Sequence, residues 1–265
     1  MKILYIGDIM GKPGIETVEA VLSDVVKKNS VDLVIAQSEN VTEGKGLSVK
    51  DYERLKSAGV QAFTSGNWTM HRDEINDLLD NPFVPVTRPA NYPSDTPGQR
   101  YKVIDLGHGK VLIVSLLGSI IGKDAENPVD NPLRVIDEIL NSLGGQEFIA
   151  IIVNFHGDYS SEKRIIGYYL DGRVTAVVGD HWHVPTNDAL VLPNGTAHIT
   201  DVGMCGSLHS SLGIKFDSVI PRWRDNIQTH NELETAGPRQ FNAVIIESDD
   251  STQRAKSIQH IQIIR

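Results

Sequence analysis

Apolar residues in this chain fall in short blocks separated by polar punctuation. Residues 2–7 form an apolar run closed by Gly7-Asp8, the pattern of a buried strand. In residues 15–29, Val18, Val21, Leu22 and Val25 recur at helical spacing, which predicts an amphipathic helix. Residues 32–36 read as a second buried strand. Residues 49–58 read as a helix capped by Gly59. A third strand is expected over 61–64, ended by Ser65-Gly66-Asn67, and a short acidic helix over 72–80. This β-α-β-α-β-α order implies a parallel sheet with crossover helices, with 2–7, 32–36 and 61–64 as neighbouring strands.

The pattern then changes. Residues 81–100 are rich in proline and polar groups and read as a loop. Residues 101–106 and 110–117 flank Gly107-His108-Gly109, a hairpin signal. A helix is expected over 131–143, a strand over 148–155, a helix over 160–171 and a buried strand over 175–179. Pro193-Asn194-Gly195 marks a second hairpin within 190–200. The stretches 241–248 and 257–264 read as two strands about a polar turn. No repeat, low-complexity tract or linker interrupts the pattern. The expectation is one α/β domain over residues 1–265, with parallel and antiparallel strands mixed.

Composition narrows the function classes. The 265 residues are 40% hydrophobic and 22% charged, ordinary globular values that exclude disorder, collagen and coiled coil. With 25 Lys plus Arg against 34 Asp plus Glu, the formal charge is −9. Such a chain is poorly suited to stable nucleic-acid binding or to an anionic membrane. A small phosphorylated substrate stays open, because a metal can reverse the local field. The single cysteine, Cys205, forms no intrachain disulfide and reads as a packing residue. The opening MKILYIGD is too short for a signal core, and the longest weakly polar stretch, 111–122, is too short for a membrane span. A soluble, cytoplasmic protein is expected.

The strand ends carry the chemistry. Five apolar runs close in Gly7-Asp8, Ser38-Glu39-Asn40, Gly66-Asn67, Asn154-Phe155-His156 and Gly179-Asp180-His181-Trp182-His183. Ligands of open α/β sheets bind outside the carboxyl ends of strands, so these groups would converge on one crevice. His181 and His183, two apart, share a face in an extended segment. Each motif alone has a plain reading as a cap, a turn residue or a hydrogen-bonded core histidine. Together they point to metal. A mixed nitrogen and oxygen set of six or seven donors exceeds one tetrahedral zinc and suits two ions about 3.5–4 Å apart, bridged by a carboxylate. No H-E-x-x-H occurs, and the segment from Gly7 to Pro13 fails as a phosphate-binding loop because its spacing is short and Pro13 stands where a hydroxyl is needed. Lys45, in the loop Glu43-Gly44-Lys45-Gly46, reads as solvated or as a phosphate contact. His108, His198, His209, His230 and His260 read as ordinary histidines.

The series Gly7-Asp8, Glu39-Asn40, Gly66-Asn67, Phe155-His156 and His181-x-His183 resembles the calcineurin-like metallophosphoesterases, and most closely their bacterial YmdB-like branch. Arg88-Pro89-Ala90-Asn91, Thr96-Pro97-Gly98, Ser161-Glu162-Lys163 and Thr200-Asp201-Val202-Gly203-Met204 extend the resemblance, which runs from residue 1 to about 247. It implies a four-layer α/β/β/α sandwich of two mixed sheets. It also implies two transition metal ions, iron or manganese with zinc as a further option, and phosphodiesterase chemistry on cyclic nucleotides or similar small phosphodiesters. Carried over by position, Asp8, Glu39, Asn40 and His183 would hold the first metal, and Glu39, Asn67, His156 and His181 the second. A homo-oligomer is a further expectation.

Two positions depart from that branch. Its Gly-Asn-His motif supplies a histidine taken as proton donor to the leaving group, whereas this chain reads Gly66-Asn67-Trp68-Thr69-Met70-His71. Asn154 stands where the branch has aspartate before Phe-His. His71, three positions beyond Trp68, either turns into the crevice as a substitute acid or is a solvent-facing residue of a helix's first turn. The expectation is therefore a dinuclear phosphodiesterase with an altered acid. The alternatives are a metal-binding pseudoenzyme with a regulatory or nucleotide-binding role, and a structural domain without metal.

Overall fold

The computed structural model of the chain describes residues 1–122 and 128–265. The first strand, β1 (Lys2–Ile6), shows why its sequence is an unbroken apolar run. Successive side chains point to opposite faces, and here both faces are covered. Leu4 and Ile6 pack with Val18, Val21 and Leu22 under helix α1 (Gly11–Asn29) and with Leu55 of α2 (Val49–Ala58). Ile3 and Tyr5 face the other way and pack with Ile113, Ile152 and Val178 of a second sheet.

The first sheet contains β1, β2 (Asp8–Ile9), β3 (Leu33–Gln37) and β4 (Ala62–Thr64). The second is built from β5 (Lys102–Asp105), β6 (Lys110–Leu117), β7 (Ala150–His156), β8 (Ala176–Asp180), β9 (Leu190–Val191) and β10 (Ala197–Ile199), ordered β5-β6-β7-β8-β10-β9. The later strands β11 (Met204–Ser207), β12 (Arg239–Ser248) and β13 (Ala255–Ile264) return to the first sheet, whose order is β2-β11-β12-β1-β3-β4 with β13 paired to β12. Parallel β1, β3 and β4 are neighbours, and β1 also pairs antiparallel with β12. In the second sheet β6, β7, β8 and β10 run parallel, with β5 and β9 as antiparallel edges.

Helices α4 (Pro132–Ser142) and α5 (Ser160–Tyr169) cover the outer face of the second sheet, where Val135, Ile136, Ile139 and Ile166 pack on Leu112, Val114, Val153 and Val177. The layers are α/β/β/α, as the resemblance implies. Among the described residues no helix is long and apolar enough to cross a membrane.

Five stretches differ from their sequence reading. Helix α1 starts at Gly11 rather than at residue 15. Pro13 fits because first-turn amides have no intrahelical acceptor. The helix expected over 72–80 is instead a 3₁₀ turn, Asp73–Ile75, followed by the short helix α3 (Asn76–Asp80), and another 3₁₀ turn, Thr69–His71, precedes it. Arg72 between the turns is extended, with φ −125° and ψ 117°, and its guanidinium donates to Lys45 O and Thr42 O. That tertiary clip overrides local helix propensity. Finally, β2, β11 and α6 (Phe216–Asp225) have no counterpart in the sequence reading.

Candidate metal centre

The strands β1, β3, β4, β7 and β8 bring their carboxyl ends to one side of the sandwich. Seven donor side chains meet there, all from segments singled out by sequence. His156 Nε2, on the last residue of β7, lies 3.1 Å from Glu39 Oε1 and 3.0 Å from Asn67 Oδ1. Its ring centroid is 4.4 Å from that of His181. Glu39, His156 and His181 each offer a donor atom within 4.8 Å of the others. A second cluster adjoins the first: His183 Nε2 lies 3.2 Å from Asn40 Oδ1 and 3.9 Å from Asp8 Oδ1. The His181 amide donates to Asp8 Oδ2 at 3.2 Å, which ties the clusters together.

Backbone geometry makes this convergence expensive to hold. His181 (φ 103°) and His183 (φ 62°) both adopt left-handed conformations that non-glycine residues rarely take, a strain of order 1–3 kcal/mol each. At Gly66 an added Cβ would collide with Glu39 Oε2 and the His156 ring, so only hydrogen fits between the β4 turn and the donors. The Trp68 amide beyond it donates to Glu39 Oε2 at 3.1 Å and fixes that carboxylate.

Asp180, which the sequence reading placed in a strand-end motif without giving it a role, is a buried hub. It accepts from Tyr5 Oη (2.9 Å), Gln37 Nε2 (3.0 Å) and Asn154 Nδ2, and it lies 2.6 Å from His156 Nδ1. An imidazole that donates Nδ1–H to a carboxylate presents a lone pair at Nε2, the form a metal needs. The signal was an acid closing the apolar run Ala176–Asp180, but its partners come from three other strands and have no mark in the local sequence. The amide of Asn154 satisfies Asp180 here, which gives that departure from the family pattern a structural role.

The charges and donor types fit cations. Asp8, Glu39, Asp180 and Asp201 are buried carboxylates, and among the described residues the ammonium paired with them is that of Lys163. Asp8 Oδ1 and His181 Nδ1 are buried without a hydrogen-bond partner. Unpaired buried polar groups are costly and rare, so both atoms are placed to receive something further. Burial and the Asp180 carboxylate push the Asp8 carboxyl well up. Burial would raise Glu39 too, but His156, His181 and the Trp68 amide hold it below the usual range. Burial opposes a charge on His156, yet Glu39 and Asp180 raise it well above the ordinary histidine value. His183 falls to about 4 through burial and the neighbouring His181, and so stays neutral and ligand-competent.

The other sequence candidates make different contacts. His71 is exposed, and its ring packs edge-on against Trp68 with centroids 5.3 Å apart. The Lys45 ammonium sits 4.2 Å over the Trp68 ring. His198 is buried against Val177 O, and His260 bonds Val202 O. Cys205 packs in the core under α1, and burial pushes its thiol up to about 12.

Similarity to known proteins covers the whole arrangement. A family model described as YmdB-like protein matches residues 4–261. A 2',3'-cyclic-nucleotide 2'-phosphodiesterase of Bacillus subtilis is 36% identical over 264 residues, spanning 99% of this chain and 97% of that protein. A putative phosphatase/phosphodiesterase of Mycoplasma pneumoniae is 33% identical over 268 residues, spanning 100% of this chain and 93% of the relative. A crystal structure of a novel phosphatase from Mycoplasma pneumoniae superposes with TM-score 0.92 at 32% identity, over 100% of this chain and 93% of that one.

Proposed function

Because the chain belongs to the YmdB-like protein family, we propose that it is a dinuclear metal-dependent phosphodiesterase acting on 2',3'-cyclic nucleotides or similar small phosphodiesters. The observation that carries this reading is the convergence of seven donors from five strand ends, with Asp8 Oδ1 and His181 Nδ1 orphaned among them. Asp8, Asn40 and His183 would hold one ion, Asn67, His156 and His181 the other, and Glu39 both. The mixed imidazole, carboxylate and amide set suits iron or manganese, with zinc as a further option. When bound, two such cations neutralise phosphate charge and bring the pKa of water towards neutrality. The chain's own residues orient the centre. Asp180 orients the His156 ring through Nδ1, with Nε2 turned towards Glu39 and Asn67, and the Trp68 amide holds Glu39.

The step left without an evident agent is protonation of the leaving oxygen. An indole has no proton to give at neutral pH, and Trp68 follows Asn67 directly. The reading assigns the proton to His71, supported by the contact of its ring with Trp68. The exposure of His71 supports a second reading, a pseudoenzyme that keeps its metals and binds a nucleotide without efficient turnover.

Turnover with added manganese or iron separates the two. Wild type, His71→Ala and Trp68→His are compared on a 2',3'-cyclic nucleotide and on a nitrophenyl phosphodiester. A positioned acid contributes about 10²–10⁴-fold where the leaving group is a sugar alkoxide and little for nitrophenolate. If His71 is the acid, His71→Ala loses cyclic-nucleotide turnover selectively. If the acid is absent, His71→Ala is neutral and Trp68→His raises that turnover. No hydrolysis of either substrate by metal-loaded wild type would leave only the pseudoenzyme.

A further inference from the structure

A buried ion pair outside the donor cluster touches the strained loop on both sides of its first histidine. Lys163, on α5, has a side chain with no solvent exposure, as does Asp201 after β10. The Lys163 ammonium donates to Asp201 Oδ2 at 2.8 Å and to the backbone carbonyl of Asp180, and lies 4.2 Å over the Trp182 ring. Asp201 Oδ2 also accepts the Trp182 amide at 2.8 Å, and its Oδ1 accepts the Gly203 amide at 2.9 Å. The Trp182 indole N–H donates to Asp158 O at 3.0 Å. The chain is thus gripped at residue 180 and at residue 182, between which His181 takes its left-handed turn.

A buried lysine is a poor source of stability. Well-packed apolar residues commonly replace a buried ion pair without loss, because desolvation offsets the attraction. Apart from its partner Asp201, the contacts of this ammonium fall on the loop that carries the two histidines. We propose that Lys163 is a positioning residue: paired with Asp201, it holds the segment from Asp180 to His183 in the conformation that presents both imidazoles to the metal centre. This rests on the reading of that centre as metal-binding.

The test compares wild type with Asp201→Asn and with the double variant Lys163→Met/Asp201→Asn, which leaves no uncompensated charge in the pocket. Manganese affinity is measured by calorimetry, and amide exchange at Trp182 by mass spectrometry with metal absent. Removing groups that orient metal ligands typically weakens metal binding 10–100-fold. The expected result is a folded double variant with a manganese dissociation constant raised by about that factor, and with faster exchange at Trp182. Asp201→Asn, which keeps the Lys163 contact to the Asp180 carbonyl but removes its counter-charge, should likewise weaken manganese binding and speed exchange at Trp182, and it serves if the double variant does not fold. Wild-type manganese affinity in these variants overturns the proposal, as does a melting temperature lowered equally with and without manganese, which would make the pair a stability element alone. Failure of wild type to bind manganese, iron or zinc overturns the metal-centre reading and this inference with it; retained wild-type binding with unaffected variants overturns the inference alone.

Discussion

At the scale of single residues, Glu39 and His156 give the proposed metal centre its sharpest tests. In the proposed centre Glu39 serves both ions, so Glu39→Ala is expected to abolish binding of both metals, while His183→Ala weakens chiefly the ion shared with Asp8 and Asn40. Metal content by mass spectrometry checks this, and two retained ions in Glu39→Ala would remove the carboxylate from the bridging role. His156 adds a proton account. Its pKa is raised well above 6.5 by Glu39 and Asp180, so at pH 6.5 the metal-free ring carries a proton that a metal must displace. His183, at about 4, has none to lose. Metal uptake at pH 6.5 should therefore release protons, seen as a binding enthalpy that changes with the ionisation enthalpy of the buffer. An enthalpy independent of buffer would mean that His156 is neutral before metal arrives.

At the scale of elements, the turns after the strands set the site. Gly66 ends the approach from β4 and leaves no room for a methyl group beside Glu39 and His156. Gly66→Ala should lower stability by about 1–3 kcal/mol through overpacking and reduce metal uptake as the donors shift. Urea denaturation beside metal analysis measures both, and an unchanged midpoint would show that the turn can give way. The same elements explain what could be read in advance. Runs such as residues 3–6 and 33–36 are apolar on every residue because two layers cover them, and each leads within three residues to a chemistry-bearing side chain. That made the donors legible. Helix α6 was not: Phe216, Ile220 and Trp223 are exposed and Pro221 interrupts its middle, so no buried stripe marks it. Met204–Ser207 is four residues of mixed type whose strand character comes from pairing with β2 and β12. The hub role of Asp180 and the grip of Lys163 depend on partners distant in sequence.

At the scale of the whole molecule, the site lies where two sheets end together, so filling it should brace both. A ligand at 100 times its dissociation constant adds about 2.7 kcal/mol to stability. For a chain of this size that is about 5–10 °C of melting temperature per site. Scanning calorimetry in chelator and in excess manganese should show that gain, and coincident curves would mean that the sheets do not depend on the centre. The position of β1 has a different consequence, one of timing. Its Lys2–Ile6 backbone is flanked by β3 on one side and by residues 243–247 of β12 on the other. On the ribosome β1 emerges long before β12, which lies most of the chain further on. Until β12 is made, the nascent chain carries an apolar strand with one edge unpaired, open to stray pairing. The first sheet can close around β1 only once β12 has been made, and pairing over so long a separation makes this a slow-folding topology.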